Sequence, residues 1–475
     1  MKNLLLSSIL ILSLTVFSQE SHPYIPETDP LVLEKLEQWK DLKFGLLMHW
    51  GPYSQWGIVE SWSICSEDEP WCRRNMKNYV DYCRKYTRLK ESFNPLQFDP
   101  VRWAEAAKDA GMNYVVFTTK HHDGFCMFDT EQTDYGITDA GCPFSTDPGA
   151  NVTKEIFDAF RAQGFWTGVY FSKADWHSND YWAEEWATPD RNVNYSIEKY
   201  PERWKAFCDF TYNQIEELMS RYGPVDILWL DGGWVCRENG QDIDMPRIVK
   251  MARSHQPGLI VVDRAVGGRY ENYRTPEQQI PGEVPGYPWE TCMTMATSWS
   301  FVPNDTYKPT RVLVQNLVDI VSKGGNYLLN IGPGPDGLWS DTAYSRLHEI
   351  GRWMKLNGEA IYGSRPVYPF AYEKLRFTSL PDGTVYLIYL PDAAEKELPE
   401  SIFADGFQPS FGSVIHLLGK QGAVKWHPEG TGFRMEIPPS WRNNPPCVNA
   451  WTFKVAGDTK TGGQADRRTS GQADK

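Results

Sequence analysis

Asp226-Ile227-Leu228-Trp229-Leu230-Asp231-Gly232-Gly233 is a short apolar run closed by a carboxylate and two glycines. Four consecutive apolar side chains without polar alternation predict a strand covered on both faces, the pattern of a parallel sheet. Outward from it, similar runs recur at residues 44–50, 114–119, 166–172, 259–263, 289–295 and 327–331. Amphipathic stretches at 100–110, 154–163, 204–221 and 310–323 lie between them and predict helices. Alternation at this spacing predicts an α/β protein with a (β/α)8-like barrel. A doubly wound sheet is the alternative, but no Gly-x-Gly-x-x-Gly turn follows the first strand.

After Gly358 the texture changes. Runs at 367–372, 384–389, 413–418 and 451–455 are separated by Pro, Gly and Asp turns and predict an antiparallel β-domain. The expected divisions are a signal peptide at 1–19, the barrel at 20–358, the β-domain at 359–456 and a disordered polar tail at 457–475. In the leader, Lys2 precedes an apolar stretch and Ser18-Gln19 offers a cleavage point, so the mature chain is expected in the periplasm or outside the cell. No cysteine near that point suggests a lipid anchor. A net charge of −13 without a basic run argues against nucleic acid as a partner. Twenty tryptophans suit both a large core and flat sugar faces. Of nine cysteines, Cys65 with Cys72 and Cys126 with Cys142 are conceivable local pairs, and sequence does not settle either. Oligomeric state is not legible.

Catalytic groups of such a barrel belong at the C-terminal ends of its strands. His49 ends the first run, His121 and His122 follow the second, and Tyr170 lies in the third. Asp231 ends the fourth, Arg264 follows the fifth, and Glu290 lies in the sixth. Asp231 could simply cap a following helix; among so many polar strand ends it is a catalytic candidate. Glu290, set between Trp289 and Cys292-Met293, fits an acid whose proton is held by apolar surroundings. Adjacent histidines on a strand point to opposite sides, which disfavours a metal pair at His121-His122. Neither a CxxC nor a zinc spacing occurs, and no metal or cofactor is predicted.

With these segments assembled, the chain resembles glycoside hydrolase family 29, the retaining α-L-fucosidases. The matching stretches are FGLLMHWGPYS (44–54), YVVFTTKHHDGFCMFDT (114–130), GVYFS (168–172), DILWLDGG (226–233), PWETCMT (288–294) and GGNYLLNIGPGPDG (324–337). The resemblance implies a (β/α)8-like barrel followed by a β-sandwich, and exo-hydrolysis of terminal α-L-fucosyl residues through a covalent fucosyl-enzyme. The partner it implies is a fucosylated oligosaccharide or glycoconjugate. It makes Asp231 the nucleophile and Glu290 the acid/base, with Glu277 and Glu283 competing for the latter role. His49, Glu60, Trp62, His121, His122, Tyr170, Trp229, Arg264 and Trp299 are the implied substrate-binding residues. The rival readings are an α-L-galactosidase of the same family and a non-catalytic carbohydrate-binding barrel.

Overall fold

The computed structural model describes residues 22–65, 74, 76–183 and 190–456. The seven apolar runs are seven strands: β1 (Phe44–Met48), β2 (Tyr114–Lys120), β3 (Trp166–Ser172), β4 (Ile227–Asp231), β5 (Ile260–Asp263), β6 (Glu290–Thr294) and β7 (Asn326–Asn330). They form one sheet in the order β5-β4-β3-β2-β1-β7-β6, every neighbouring pair parallel. The sheet curls into a barrel whose edge strands β5 and β6 do not pair directly. Residues 271–277 occupy the place of an eighth strand: Val262 bridges Glu271, Arg274 bridges Trp289, and Glu277 bridges Cys292.

The helices are α1 (Pro30–Leu42), α2 (Tyr79–Thr87), α3 (Pro100–Asp109), α4 (Val152–Ala162), α5 (Pro201–Arg221), α6 (Met245–His255), α7 (Thr310–Ser322) and α8 (Asp341–Asn357). Their starts are written locally. Asp99, Asn151, Asp244 and Ser340 each accept a backbone N–H of the first turn through their side chains, a cap worth about 1 kcal/mol each. Trp103, Ala104 and Ala107 form the buried stripe of α3. There α8 approaches so closely that a Cβ on Gly351 would stand 2.1 Å from the Asp109 carbonyl oxygen.

The two-residue period of a strand sorts β4 into two sets. Leu228 and Leu230 join the outer core beneath the helices, whereas Ile227 and Trp229 join the small core inside the barrel. Asp231 continues the inward set and arrives at the C-terminal rim. In β6 the same period sends Glu290, Cys292 and Thr294 inward, with Glu290 at the start of the strand and Thr294 at its end.

The C-terminal strands are β8 (Arg365–Tyr372), β9 (Leu375–Ser379), β10 (Val385–Tyr389), β11 (Ser401–Ala404), β12 (Val414–Leu417), β13 (Lys425–Glu429), β14 (Gly432–Glu436) and β15 (Trp451–Ala456). They make a five-stranded sheet, β12-β15-β10-β9-β8, and a three-stranded sheet, β11-β14-β13, all pairs antiparallel. The two sheets share a core of Phe377, Leu387, Phe433, Met435 and Phe453. Arg376 of β9 pairs with Asp319 of α7, and Trp353 of α8 donates to the Ala450 carbonyl at 3.0 Å.

Cys126 and Cys142 are both buried and unbonded, so the second local pair does not form. Cys142 donates instead to the Phe93 carbonyl at 3.3 Å. The partner suggested for Cys65, Cys72, lies outside the described residues, as do the leader and the polar tail. Among the described residues no helix is long and apolar enough to cross a membrane.

Candidate active site

Asp231 is the hub of the rim. Its Oδ2 accepts the Tyr170 hydroxyl at 2.7 Å, and its Oδ1 accepts the Gly232 amide at 2.8 Å and Arg264 Nη1 at 3.2 Å. Gly232 itself adopts φ +84°, a conformation that favours glycine and turns the chain away from the strand. Burial pushes the Asp231 carboxyl up, but Arg264, His122, Tyr170 and the Gly232 amide outweigh it and hold it well below the usual carboxylate range. The side chain keeps 16% of its surface open, enough to meet a ligand.

Three histidines line the same rim. His49 follows β1, its Nδ1 lying 2.8 Å from Asn330 Oδ1. His121 faces the Ser61 hydroxyl through Nδ1. His122 has Nδ1 at 2.6 Å from Ser172 Oγ and Nε2 at 3.8 Å from Asp231 Oδ2. The β2 chain turns at its end, so both neighbouring histidines reach the rim, their ring centroids 4.2 Å apart. Burial lowers His49 and His122 to about 4 and His121 well below its ordinary value; all three are neutral at neutral pH. Among the described residues no group of three or more His, Cys, Asp or Glu side chains is placed to hold a metal ion.

Aromatic rings complete the wall. Tyr170 stacks on Trp229 at 5.2 Å, and Arg264 lies over the Trp229 ring at 5.1 Å. Trp299 packs against His49 at 5.2 Å. Trp62, from the loop after β1, sits edge-on to His122 at 5.1 Å. Glu60 in that loop accepts the Ser300 amide at 2.7 Å, and burial raises its carboxyl to about 7.

The two acid candidates occupy different places. Glu290 lies inside the barrel at the start of β6 with no exposed surface. Its oxygens accept the Tyr114 hydroxyl at 2.6 Å and the Trp229 indole N–H at 3.2 Å. Burial raises its carboxyl to about 7, as the apolar setting predicts, but the same burial seals it beneath Trp229. This departs from the expected placement of Glu290 beside Asp231. Glu277 instead stands at the open rim with 42% of its side chain exposed, paired with Arg264 Nη2, while Arg264 Nη1 holds Asp231. Glu283 lies exposed in the following loop.

Several neighbours went unread in the sequence. Asn330 and Ser172 end β7 and β3 as polar residues after apolar runs, the same signal that marked Asp231. Trp234, two residues beyond Gly232, packs on His122 at 5.0 Å and on Trp62 at 5.6 Å. Lys173 donates its backbone N–H to the Asp231 carbonyl at 2.9 Å and pairs with Asp263 at 2.5 Å, both side chains buried. Removing either partner would strand a buried charge, so the pair ties the end of β3 to the end of β5 beside Arg264.

Comparison with known proteins gives a consistent answer. A family model described as α-L-fucosidase matches residues 11–359. Tissue α-L-fucosidase from Homo sapiens is 28% identical over 466 residues, covering 93% of this chain and 93% of that protein. The solved structure of α-L-fucosidase isoenzyme 1 from Paenibacillus thiaminolyticus is similar with a TM-score of 0.73 at 29% identity, over 90% of this chain and 99% of that one. That of Thermotoga maritima α-fucosidase in complex with a mechanism-based inhibitor has a TM-score of 0.72 at 25% identity, over 92% of this chain and 100% of that one.

Proposed function

The chain belongs to the α-L-fucosidase family, a family of glycoside hydrolases, and from that premise we propose a retaining exo-hydrolase with Asp231 as nucleophile and Glu277 as acid/base. The observation that carries the assignment is Arg264. Its two terminal nitrogens hold Asp231 and Glu277, so the two carboxyl groups are separated by one guanidinium fork. A retaining pair needs carboxyl groups about 5–5.5 Å apart, a span that one guanidinium can bridge. Glu290 is the weaker choice because both its oxygens are committed below the rim.

In this reading a terminal α-L-fucosyl residue enters with its anomeric carbon facing Asp231. Asp231, kept ionised, attacks that carbon while Glu277, having taken up a proton from solvent at the open rim, gives that proton to the departing glycosidic oxygen. The products are the free aglycone and a fucosyl ester of Asp231. Glu277 then takes a proton from water, whose oxygen attacks the same carbon from the vacated face and releases fucose. His49, His121 and His122 meet hydroxyl groups, Tyr170 steadies the nucleophile, and Trp229 and Trp299 offer apolar faces to the ring and its methyl group. Glu60 and Trp62 shape the rim beside them.

Two inversions leave the anomeric configuration unchanged. Following a fucoside hydrolysis by proton NMR from the first turnovers should therefore show α-L-fucose first and the β anomer only by later mutarotation. Initial release of the β anomer would remove the covalent step, and with it the nucleophile role of Asp231.

A further inference from the structure

The histidine protons can be placed by counting hydrogens. A backbone carbonyl oxygen carries none, so any close polar contact to it requires the hydrogen on the other atom. Ser172 Oγ lies 2.6 Å from the Ala174 carbonyl oxygen. Its single hydrogen must point there, which leaves only lone pairs toward His122 Nδ1, also at 2.6 Å. His122 Nδ1 therefore bears the proton of that contact. Asn330 repeats the logic with a different group. The amide atom 2.6 Å from the Trp299 carbonyl must be the nitrogen, Nδ2. The other atom, facing His49 Nδ1 at 2.8 Å, is then the oxygen, so His49 Nδ1 is also a donor.

We propose that Ser172 and Asn330 are positioning residues that lock His122 and His49 as Nδ1–H tautomers, each presenting a bare Nε2 as acceptor to a hydroxyl donor of the sugar. Burial keeps both rings neutral near pH 7, and a neutral imidazole with hydrogen on Nδ1 has its lone pair on Nε2. At His122 that lone pair faces the Asp231 carboxylate at 3.8 Å, so a hydroxyl entering between the two finds both acceptors within reach of its one hydrogen. His121 has no comparable lock, because the Ser61 hydroxyl opposite its Nδ1 gives or takes a proton equally well.

The chemical consequence is selectivity for free hydroxyl groups. An ether, a sulfate ester or an acetate at a contacted oxygen has no hydrogen to give, and leaves a buried Nε2 without its partner. The identity of the sugar rests on the fucosidase reading; the proton positions do not.

The test uses the full chain with isotope-labelled histidine at about neutral pH. His49→Gln and His122→Gln serve to assign the two ring signals. Long-range nitrogen–proton NMR should show both rings with the proton on Nδ1; a proton on Nε2 of either ring in the free protein overturns the proposal. Binding of fucose analogues is the second readout. Replacing a contacted hydroxyl by fluorine, which accepts but does not donate, should weaken binding roughly tenfold, as much as removing it. Full retention of affinity by every fluoro analogue also overturns it. Ser172→Ala should release the His122 tautomer and raise KM by roughly tenfold with a smaller change in kcat, and Ser172→Thr should restore both. Absence of any hydrolysis of an aryl α-L-fucoside would instead sink the fucosidase reading, with the tautomer result standing.

Discussion

Asp231 and Glu290 are two inward carboxyl groups of one barrel, and the molecule treats them in opposite ways. They are joined through Trp229, whose indole N–H reaches Glu290 and whose ring stacks on Tyr170, the residue that donates to Asp231. Both feel the same push from burial toward the neutral form. Asp231 meets a guanidinium and two direct donors, and stays ionised. Glu290 meets two neutral donors and no ion-pair partner among the described residues, and its carboxyl rises to about 7. The difference teaches that an apolar setting alone does not say whether a carboxyl reaches the rim. The charge beside a carboxyl sets its form, and access to the rim sets its use.

The largest effect should come from the rim. Asp231→Gly is expected to lower kcat on an aryl α-L-fucoside by roughly 10⁴-fold or more, with added azide restoring release of the leaving group as β-fucosyl azide. Next comes the direct contest between the acids. Glu277→Ala should slow hydrolysis of the covalent intermediate by about 10²–10⁴-fold, whereas Glu290→Gln should stay within about tenfold of the parent because it touches no reacting atom. A reversed ranking in stopped-flow kinetics would return the acid role to Glu290 and break the contrast drawn above.

Smaller effects would sharpen it. Arg264→Met removes the cation that opposes burial at Asp231, so its carboxyl should rise toward the usual carboxylate range. The acid limb of the kcat/KM profile should then move to higher pH. Last is a stability test of Glu290. Below about pH 4.5 it is protonated in both folded and unfolded chains, and Glu290→Gln should change little. As pH rises toward about 7, the unfolded chain ionises first and the folded parent loses stability. The melting temperature of Glu290→Gln relative to the parent should climb over that window, by an equivalent on the order of 3 kcal/mol at its upper end. A flat difference would mean that Glu290 is already ionised in the fold.

The barrel was legible because each strand is a continuous apolar run, and burial on both faces demands that pattern. Asp231, His49 and Arg264 were legible for a related reason: polarity at a strand end has no structural need. The depth of Glu290 was not legible, because its run begins, rather than ends, at that residue. An apolar neighbourhood describes a sealed carboxyl as well as a poised one. Glu277 carries no local signal, since it sits in a stretch that is neither apolar nor periodic and gains meaning only when residues 271–277 fold into the gap beside β5. Asn330 and Ser172 had the right signal. Their value lies in a second contact, to Trp299 and Ala174, which no linear pattern discloses.

That gap has a consequence for how much change the barrel tolerates. Arg264 and Glu277 hang from the one wall of the barrel that is not stitched by a continuous strand ladder. Insertions or deletions there leave the register of the other strands intact. A proton donor carried on that wall, as proposed for Glu277, can therefore be shifted along it while Asp231, rooted in β4, stays put.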